Sequence, residues 1–411
     1  MPEPTATVNP PISTPTDSGT RTVRVLHPIT RMSMGGAQEN TMITADTLRR
    51  EFAGYDAEVL CSPYEGPEGN LIPELRSRGV PVHLVPSMVH PVHPLRDWMA
   101  LRDLTRLMAP DGAPVYDIVH THGSKAGILG RYAARRAGVP VIVHTVHGWG
   151  FHDRTPGHRK RVYVELERRA ARFTDVLVVV TSKDIEKGLA EGIGRPEQYR
   201  VIRSGVEMDR FGHPRQPAAE VRTSLGIPAQ APVVGSVTRL IPQKAPLDLV
   251  DTFAAVARRH PDCWFLIVGD GPQRPETEAR LRERGILDRT VITGWRRDVP
   301  ELLPVMDVFV LSSLWEGLPR VLPQAMASGL PLVCTRVDGS AEAVVHGENG
   351  YLVDPGDTVA LGRFAADLLA DAPLRSRMGD QGRRNAREFS ASTMVHNLHA
   401  LYEDLIREHG S

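Results

Sequence analysis

The sequence predicts an α/β protein made of two doubly wound, Rossmann-like domains, and three observations carry that prediction. Short apolar runs alternate with amphipathic stretches from residue 23 to about residue 205, a breaker-rich segment follows at 211–232, and the alternation then restarts. Strand, helix, strand in repetition predicts a parallel sheet covered by helices on both faces. At roughly 150 residues per domain, the 411 residues suffice for two or three units with substantial cores.

In chain order, strands are expected at VRVLHPI (23–29), AEVLCS (57–62), VPVHLVP (80–86), YDIVHTH (116–122), VPVIVHTVHG (139–148), TDVLVVVTS (174–182) and YRVIRSG (199–205). Between them, ENTMITADTLRREF (39–52), DWMALRDLTRLM (97–108) and KAGILGRYAARRAG (125–138) carry helical patterns. FGHPRQPAAEVRTSLGIPAQAP (211–232) reads as a linker, which divides the chain into domains at 21–211 and 212–391. Beyond it VVGSVTRL, WFLIVGDG, TVITGW, VFVLSS and PLVCTR are the strands of the second domain. The chain closes on a helix at 392–411, with Met394, Leu398, Leu401 and Leu405 near helical spacing. Residues 1–20, rich in Pro, Thr and Ser, are expected to form a disordered leader.

Composition removes several function classes. Lys+Arg and Asp+Glu number 49 each, so no global field attracts nucleic acid or an anionic membrane, and anion binding must come from local constellations. Cys61, Cys263 and Cys334 are odd in number, far apart and set in apolar runs. They read as buried, reduced thiols of a cytoplasmic protein, with no disulfide framework and no CxxC metal site. No run approaches the roughly 18 apolar residues of a spanning helix, and the N-terminus has no signal-peptide core.

Open parallel sheets bind ligands beyond the carboxyl ends of their strands. After the first strand, Gly35 and Gly36 open a helix where backbone N–H groups can face an anion; alone, such a pair is more often only a turn. At the matching point of the second half, Arg239 and Lys244 stand five positions apart, suited to a diphosphate by a forked guanidinium and a point charge, or else simply solvated. A tight turn spans Gly269–Gly271, and the loop after Gly294 is suited to hold a base through backbone groups. Glu316 lies just past VFVLSS, before a helix expected to begin near 320–322 and to close at Gly329. Pro323 fits the first turn of that helix, where N–H groups are unpaired. Glu316 is placed either to accept hydrogen bonds from sugar hydroxyls or to cap the helix, and Gln324 follows about one turn in.

Histidines gather at two strand ends, as His120 and His122 and as His144, His147 and His152. A zinc site is the alternative reading, but no HExxH or Cys/His ligand set accompanies them. His120 and His144 read as hydrogen-bonded core positions and His147 as the one placed to meet a ligand.

Six motifs, in order over nearly the whole chain, carry a family resemblance: GGAQ (35–38), HTHGSKAG (120–127), HTVHG (144–148), RLIPQK (239–244), GDGP (269–272) and EGLPR (316–320). From about residue 22 the chain resembles the family 4 glycosyltransferases, retaining nucleotide-sugar enzymes of the GT-B fold, and within them the branch that builds capsular and other surface polysaccharides. The resemblance implies two Rossmann-like domains facing a cleft, with the final helix crossing back onto the first domain. It implies that Gly35 and Gly36 approach the donor phosphate, that Arg239 and Lys244 stabilise the leaving diphosphate, and that Glu316 and His147 contact the donor sugar. It also assigns Gly294, Gly317, Leu318 and Gln324 to the donor site. The expected donor is a nucleotide diphosphate sugar, UDP-linked, as co-substrate, with no cofactor and no metal. The acceptor is a glycan, a lipid-linked carrier or a small molecule, met in the cytoplasm or at the inner face of the membrane, with no nucleic acid partner.

The chain departs from the family pattern in places. The family pairs Glu at the position of Glu316 with a second Glu where this chain has Gln324. An amide can still accept from one ribose hydroxyl and donate to the other, losing the charge-assisted part, worth about tenfold in nucleotide affinity. Ser204 stands where an Asn-Gly pair is common, Ala245 where Gly is common, and Pro319 removes a donor near the sugar. The stretch 157–173 places Val162, Leu166, Ala170 and Phe173 on one side among Arg and Lys, which reads either as a membrane-resting helix or as a helix packed on the sheet. A sugar-nucleotide epimerase of the same architecture and a catalytically silent nucleotide-binding relative remain the alternative functions.

Overall fold

The computed structural model describes residues 22–66, 69–89, 92–151 and 155–410. The expected leader at 1–20 and His152 lie outside them. The chain forms two units, one running to Gly205 and resuming at Ala391, the other spanning Val206–Ser390.

The first unit holds seven parallel strands: β1 (Val23–Pro28), β2 (Tyr55–Cys61), β3 (Val82–Leu84), β4 (Ile118–His122), β5 (Val141–Val146), β6 (Val176–Val179) and β7 (Tyr199–Val201). Their order across the sheet is β3-β2-β1-β4-β5-β6-β7. All six residues of β5 are buried, the pattern of a strand covered on both faces. The chain first builds outward from β1 and then returns to lay β4 on its other side, so the direction reverses between β1 and β4. A bridge between Ile29 and His122, and a bond from the Ala126 N–H to Thr30 Oγ1 at 3.1 Å, hold the loops beyond those two strands together.

Helix Ala391–Gly410 buries Met394, Val395, Leu398, Tyr402 and Leu405 in this unit's core beside β1, β2 and helix Gly36–Glu51. Helix Gly157–Ala171 corrects the stripe expected for 157–173. Its buried positions are Val164, Glu167, Ala170 and Ala171, and Val162 is exposed. The reason is electrostatic: fully buried Arg131 bonds Glu167 Oε2 at 2.6 Å, which turns the face carrying Glu167 inward.

The second unit holds six parallel strands: β8 (Val233–Val237), β9 (Trp264–Val268), β10 (Thr290–Ile292), β11 (Val308–Leu311), β12 (Leu332–Thr335) and β13 (Gly350–Val353), in the order β10-β9-β8-β11-β12-β13. The direction reverses between β8 and β11. The segment 211–232 is not a free linker. It contains helix Ala218–Ser224, whose Arg222 donates to the carbonyls of Val305, Ala229 and Ala231 and to Asp307. The unit accordingly begins at Val206, six residues before the expected boundary at 212. All three cysteines are free and buried. Among the described residues no helix is long and apolar enough to cross a membrane.

The sheet of the first unit carries an unusual polar core. His27, His120, His122 and His144 are buried on β1, β4 and β5. His27 Nδ1 lies 3.0 Å from His122 Nε2, His120 meets Tyr402 Oη and Thr145 Oγ1, and His144 meets Thr121 Oγ1 at 2.9 Å. Burial pushes His27 down to about 3 and holds the other three well below their ordinary value of 6.5. All four rings are therefore neutral when folded, whereas the unfolded chain protonates them below pH 6.5. Their contribution to stability is complete above that pH and is lost as the pH falls from 6.5 toward the folded values. Between pH 7.5 and 5.5, urea unfolding of this unit should lose about 1 kcal/mol per histidine. A flat profile across that window contradicts the neutral core.

Candidate functional site

In the second unit, the reversal between β8 and β11 places two loops side by side at the carboxyl edge of the sheet. The loop after β8 carries Arg239 and Lys244, and the loop after β11 carries Glu316. They are tied together strand to strand. The Leu314 N–H donates to the Gln243 carbonyl at 2.8 Å, Gln243 Nε2 donates to the Trp315 carbonyl at 2.9 Å, and Ser312 Oγ reaches the carbonyls of Lys244 and Ala245 at 3.0 and 3.1 Å. At the tip, the Lys244 ammonium bonds Glu316 Oε1 directly. Their side chains are 13% and 7% exposed, so the pair is largely removed from water. Neither group exhausts its capacity in this bond: an ammonium has three donors, and a carboxylate has two acceptor oxygens.

A third loop, after β12, supports Glu316 from behind. The Glu316 N–H points to Asp338 Oδ2 at 3.4 Å, the Gly339 N–H donates to the Gly317 carbonyl at 3.0 Å, and Thr335 Oγ1 donates to the Ser313 carbonyl at 2.5 Å. Asp338 adopts φ 31°, a left-handed conformation uncommon outside glycine. Asp338 is not among the candidates named from the sequence, although an Asp-Gly pair after an apolar run is a turn signal at a strand's carboxyl end. Gln243 and Ser312 are absent from those candidates as well, because their role appears only once β8 and β11 are known to be neighbours.

The glycines of GDGP have a packing role. A Cβ at Gly269 would overlap the Thr238 carbonyl oxygen, and one at Gly271 that of Leu240. The Leu240 N–H donates to the Asp270 carbonyl at 2.9 Å and the Gln273 N–H to the Leu240 carbonyl at 3.0 Å, so this turn braces the stretch that carries Arg239. Arg239 is exposed, with no carboxylate in ion-pair range among the described residues. Gly294 is buried, left-handed at φ 71° and bridged to Gly269, which places it on the next loop of the same edge.

The helix after Glu316 runs Val321–Ala327, and Pro323 occupies its third position as the sequence suggests. It closes on left-handed Gly329, with the Gly329 N–H bonded to the Met326 carbonyl and the Leu330 N–H to that of Ala325. Glu316 does not cap this helix, because its carboxylate is turned to Lys244. Leu318 is buried and Gly317 half-buried within the loop. The half-buried Gln324 side chain finds no hydrogen-bond partner among the described residues.

In the first unit, Gly35 precedes helix Gly36–Glu51 in extended conformation, and its carbonyl accepts the Glu39 N–H at 3.0 Å. His147, just past β5, lies with Nε2 3.2 Å from His122 Nδ1, extending the chain His27, His122, His147 to the sheet edge. His27, His120 and His122 are the one group among the described residues with three ligand nitrogens within 4.8 Å of one another. Such neutral nitrogens suit a borderline metal, but nearly all are engaged with one another or with Tyr402 and Thr145.

Lys244 is presented by a strained residue. Ala245 adopts φ 46° and ψ 59°, between the turn Pro242–Lys244 and helix Pro246–Arg259. A Cβ in that region costs about 1–2 kcal/mol, partly offset in a glycine variant by the greater freedom of its unfolded chain. Ala245→Gly should therefore stabilise the unit by about 1 kcal/mol in thermal or urea unfolding. A loss of stability would show that the buried methyl contributes more by packing than it costs in strain.

The chain is similar to known proteins over nearly its whole length. Residues 218–385 match the family described as glycosyl transferases group 1, and residues 35–205 match the glycosyl transferase 4-like domain. The Escherichia coli UDP-Gal:alpha-D-GlcNAc-diphosphoundecaprenol alpha-1,3-galactosyltransferase is 30% identical over 387 residues, 93% of this chain and 97% of that protein. The D-inositol 3-phosphate glycosyltransferase of Corynebacterium glutamicum is 30% identical over 305 residues, 71% and 73% of the two chains. The fold is that of Anabaena HepE, solved in complex with UDP and glucose, with a TM-score of 0.80 at 22% identity over 93% of this chain and 100% of that one. It is also that of WaaG, a glycosyltransferase of lipopolysaccharide biosynthesis, with a TM-score of 0.71 at 19% identity over 91% and 98%. With two parallel Rossmann-like units, the matched domains and a relative of this identity over nearly its full length, the chain belongs to the group 1 glycosyl transferases with a 4-like N-terminal domain and is a glycosyltransferase of GT-B fold.

Proposed function

We propose that the protein transfers a sugar from a UDP-linked donor to a lipid-linked glycan acceptor, with retention of configuration at the anomeric carbon. The observation that carries this is the Lys244–Glu316 pair at the reversal point of the second sheet, where a cation suited to a diphosphate and a carboxylate suited to sugar hydroxyls are held as one unit. The E. coli relative is named for a UDP-sugar donor and a diphosphoundecaprenol acceptor, and HepE was solved with UDP-glucose; both support the assignment.

As the bond from the anomeric carbon to the phosphate oxygen breaks, negative charge grows on the departing diphosphate. Lys244 and Arg239 face that charge and stabilise it, which needs no divalent metal. Glu316 accepts hydrogen bonds from the sugar hydroxyls and holds the ring in place. The acceptor hydroxyl attacks from the face the phosphate is leaving, its oxygen bonds the anomeric carbon, and its proton passes to a phosphate oxygen. No protein nucleophile takes part. The unpartnered amide of Gln324 meets the ribose hydroxyls, one as acceptor and one as donor, without the charge assistance a carboxylate would give.

One set of assays tests this. The protein is incubated with UDP-, GDP- and TDP-sugars, with lipid-linked and soluble acceptors, and free nucleotide and glycosylated product are followed. The expected outcome is UDP release coupled to product, abolished in Glu316→Ala and in Lys244→Ala, with about tenfold tighter UDP binding in Gln324→Glu. Near-normal rates in both alanine variants would overturn the site. An altered sugar without released nucleotide would mark an epimerase. A silent wild type restored by Gln324→Glu would show that the missing carboxylate is essential.

A further inference from the structure

Four of the ten large apolar side chains exposed among the described residues fall within eight positions of the first unit: Val92, Leu95, Trp98 and Met99, 71%, 63%, 58% and 43% exposed. The last three sit on helix Pro94–Met108 at helical spacing, on the face opposite the buried Ala100, Leu104 and Met108. Isolated exposed apolar residues need no explanation, but a cluster that includes a Trp does. Arg96, Arg102 and Arg106 are exposed on the same helix, with the Arg102 guanidinium 5.9 Å from the Trp98 ring centre. The helix's two acids are engaged. Asp97 is paired with Lys125 at 2.5 Å and accepts the His93 N–H, and Asp103 accepts Ser87 Oγ at 2.7 Å.

The geometry points to residues 92–99 as the surface by which this unit docks on an anionic lipid bilayer. An aromatic and two flexible apolar side chains, with arginines on the flanks and no free acid, are the chemistry of a helix lying in a membrane interface: the apolar groups enter the acyl boundary while the guanidinium groups stay with the phosphates. A second copy of the chain fits less well, because a symmetric pairing of this helix would bring arginine against arginine. Helix Gly157–Ala171, the other membrane candidate in the sequence, exposes only Val162 among large apolar residues, and its basic groups are partly answered by Glu165 and Glu191.

The position of the patch suits an acceptor delivered by a lipid. Helix Pro94–Met108 begins beyond the carboxyl end of β3, and Asp97 is paired to Lys125 on the helix that follows His120 and His122. The patch therefore borders the same sheet edge as the loops after β1 and β4. The inference deepens the lipid-linked acceptor of the proposed function, but it stands on this surface alone, and its test needs no turnover.

The experiment is co-sedimentation of the full chain with vesicles of phosphatidylcholine alone and of phosphatidylcholine with phosphatidylglycerol. The wild type should bind the anionic vesicles. The triple variant Leu95→Ser, Trp98→Ser, Met99→Ser, at exposed positions the fold does not need, should lose about tenfold or more of that binding while its circular dichroism is unchanged. Arg96→Gln, Arg102→Gln, Arg106→Gln should reduce anionic binding to the phosphatidylcholine level. No vesicle binding by the wild type, equal binding by the triple variant, or a wild-type dimer that the triple variant converts to monomer would each overturn the inference. Intact vesicle binding without transfer from any UDP-sugar would overturn the donor reading and leave this surface standing.

Discussion

An ammonium and a carboxylate taken out of water must find each other, and in this protein that requirement links two strands far apart in sequence. Lys244 and Glu316 are 72 positions apart, yet β8 and β11 are neighbours in the sheet and the pair forms where the direction of the sheet reverses. Removing one partner from a pair largely removed from water leaves a charge poorly compensated, a loss of at most roughly 3–5 kcal/mol, whereas replacing both is often nearly neutral. The constraint explains the neighbouring polar contacts. Gln243 and Ser312 satisfy the loop carbonyls on either side, the GDGP turn braces one loop, and Asp338 backs the other. The proposed function rests on the same arrangement, since a diphosphate and its sugar present opposite demands that a held cation and carboxylate can meet together.

The first unit meets the demands of burial differently. It neutralises its polar core: four histidines lie on three adjacent strands, each kept uncharged by lack of water and most engaged by a neighbouring ring or hydroxyl. Tyr402 joins that network from helix Ala391–Gly410 near the end of the chain, so the terminal helix is built into the same core that carries His122 and, through it, His147.

Fold class was readable because both sheets are covered on two faces, which writes each strand as an apolar run whatever its neighbours are. Strand order was not, since hydrogen-bonded pairing leaves no local trace, and so the direct bond between Lys244 and Glu316 has no signal in the sequence. Four-residue β13 escaped notice because Gly350–Val353 offers too short a run to stand out. The structure of the 211–232 segment is hidden in the sequence because Arg222 finds its distant partners at the Val305 carbonyl and the Asp307 carboxylate, more than 80 positions away. Ala245 and Asp338 depart from local backbone preference, and both stand on loops that flank the ion pair.

Lys244 and Glu316 act as one unit, and a double-mutant cycle measures that directly. Unfolding free energies of Lys244→Met, Glu316→Gln and the double variant are compared with the wild type in urea. The double variant is expected to be less destabilised than the sum of the singles, with a coupling of about 1–3 kcal/mol. Additive losses would show two independent side chains and contradict it.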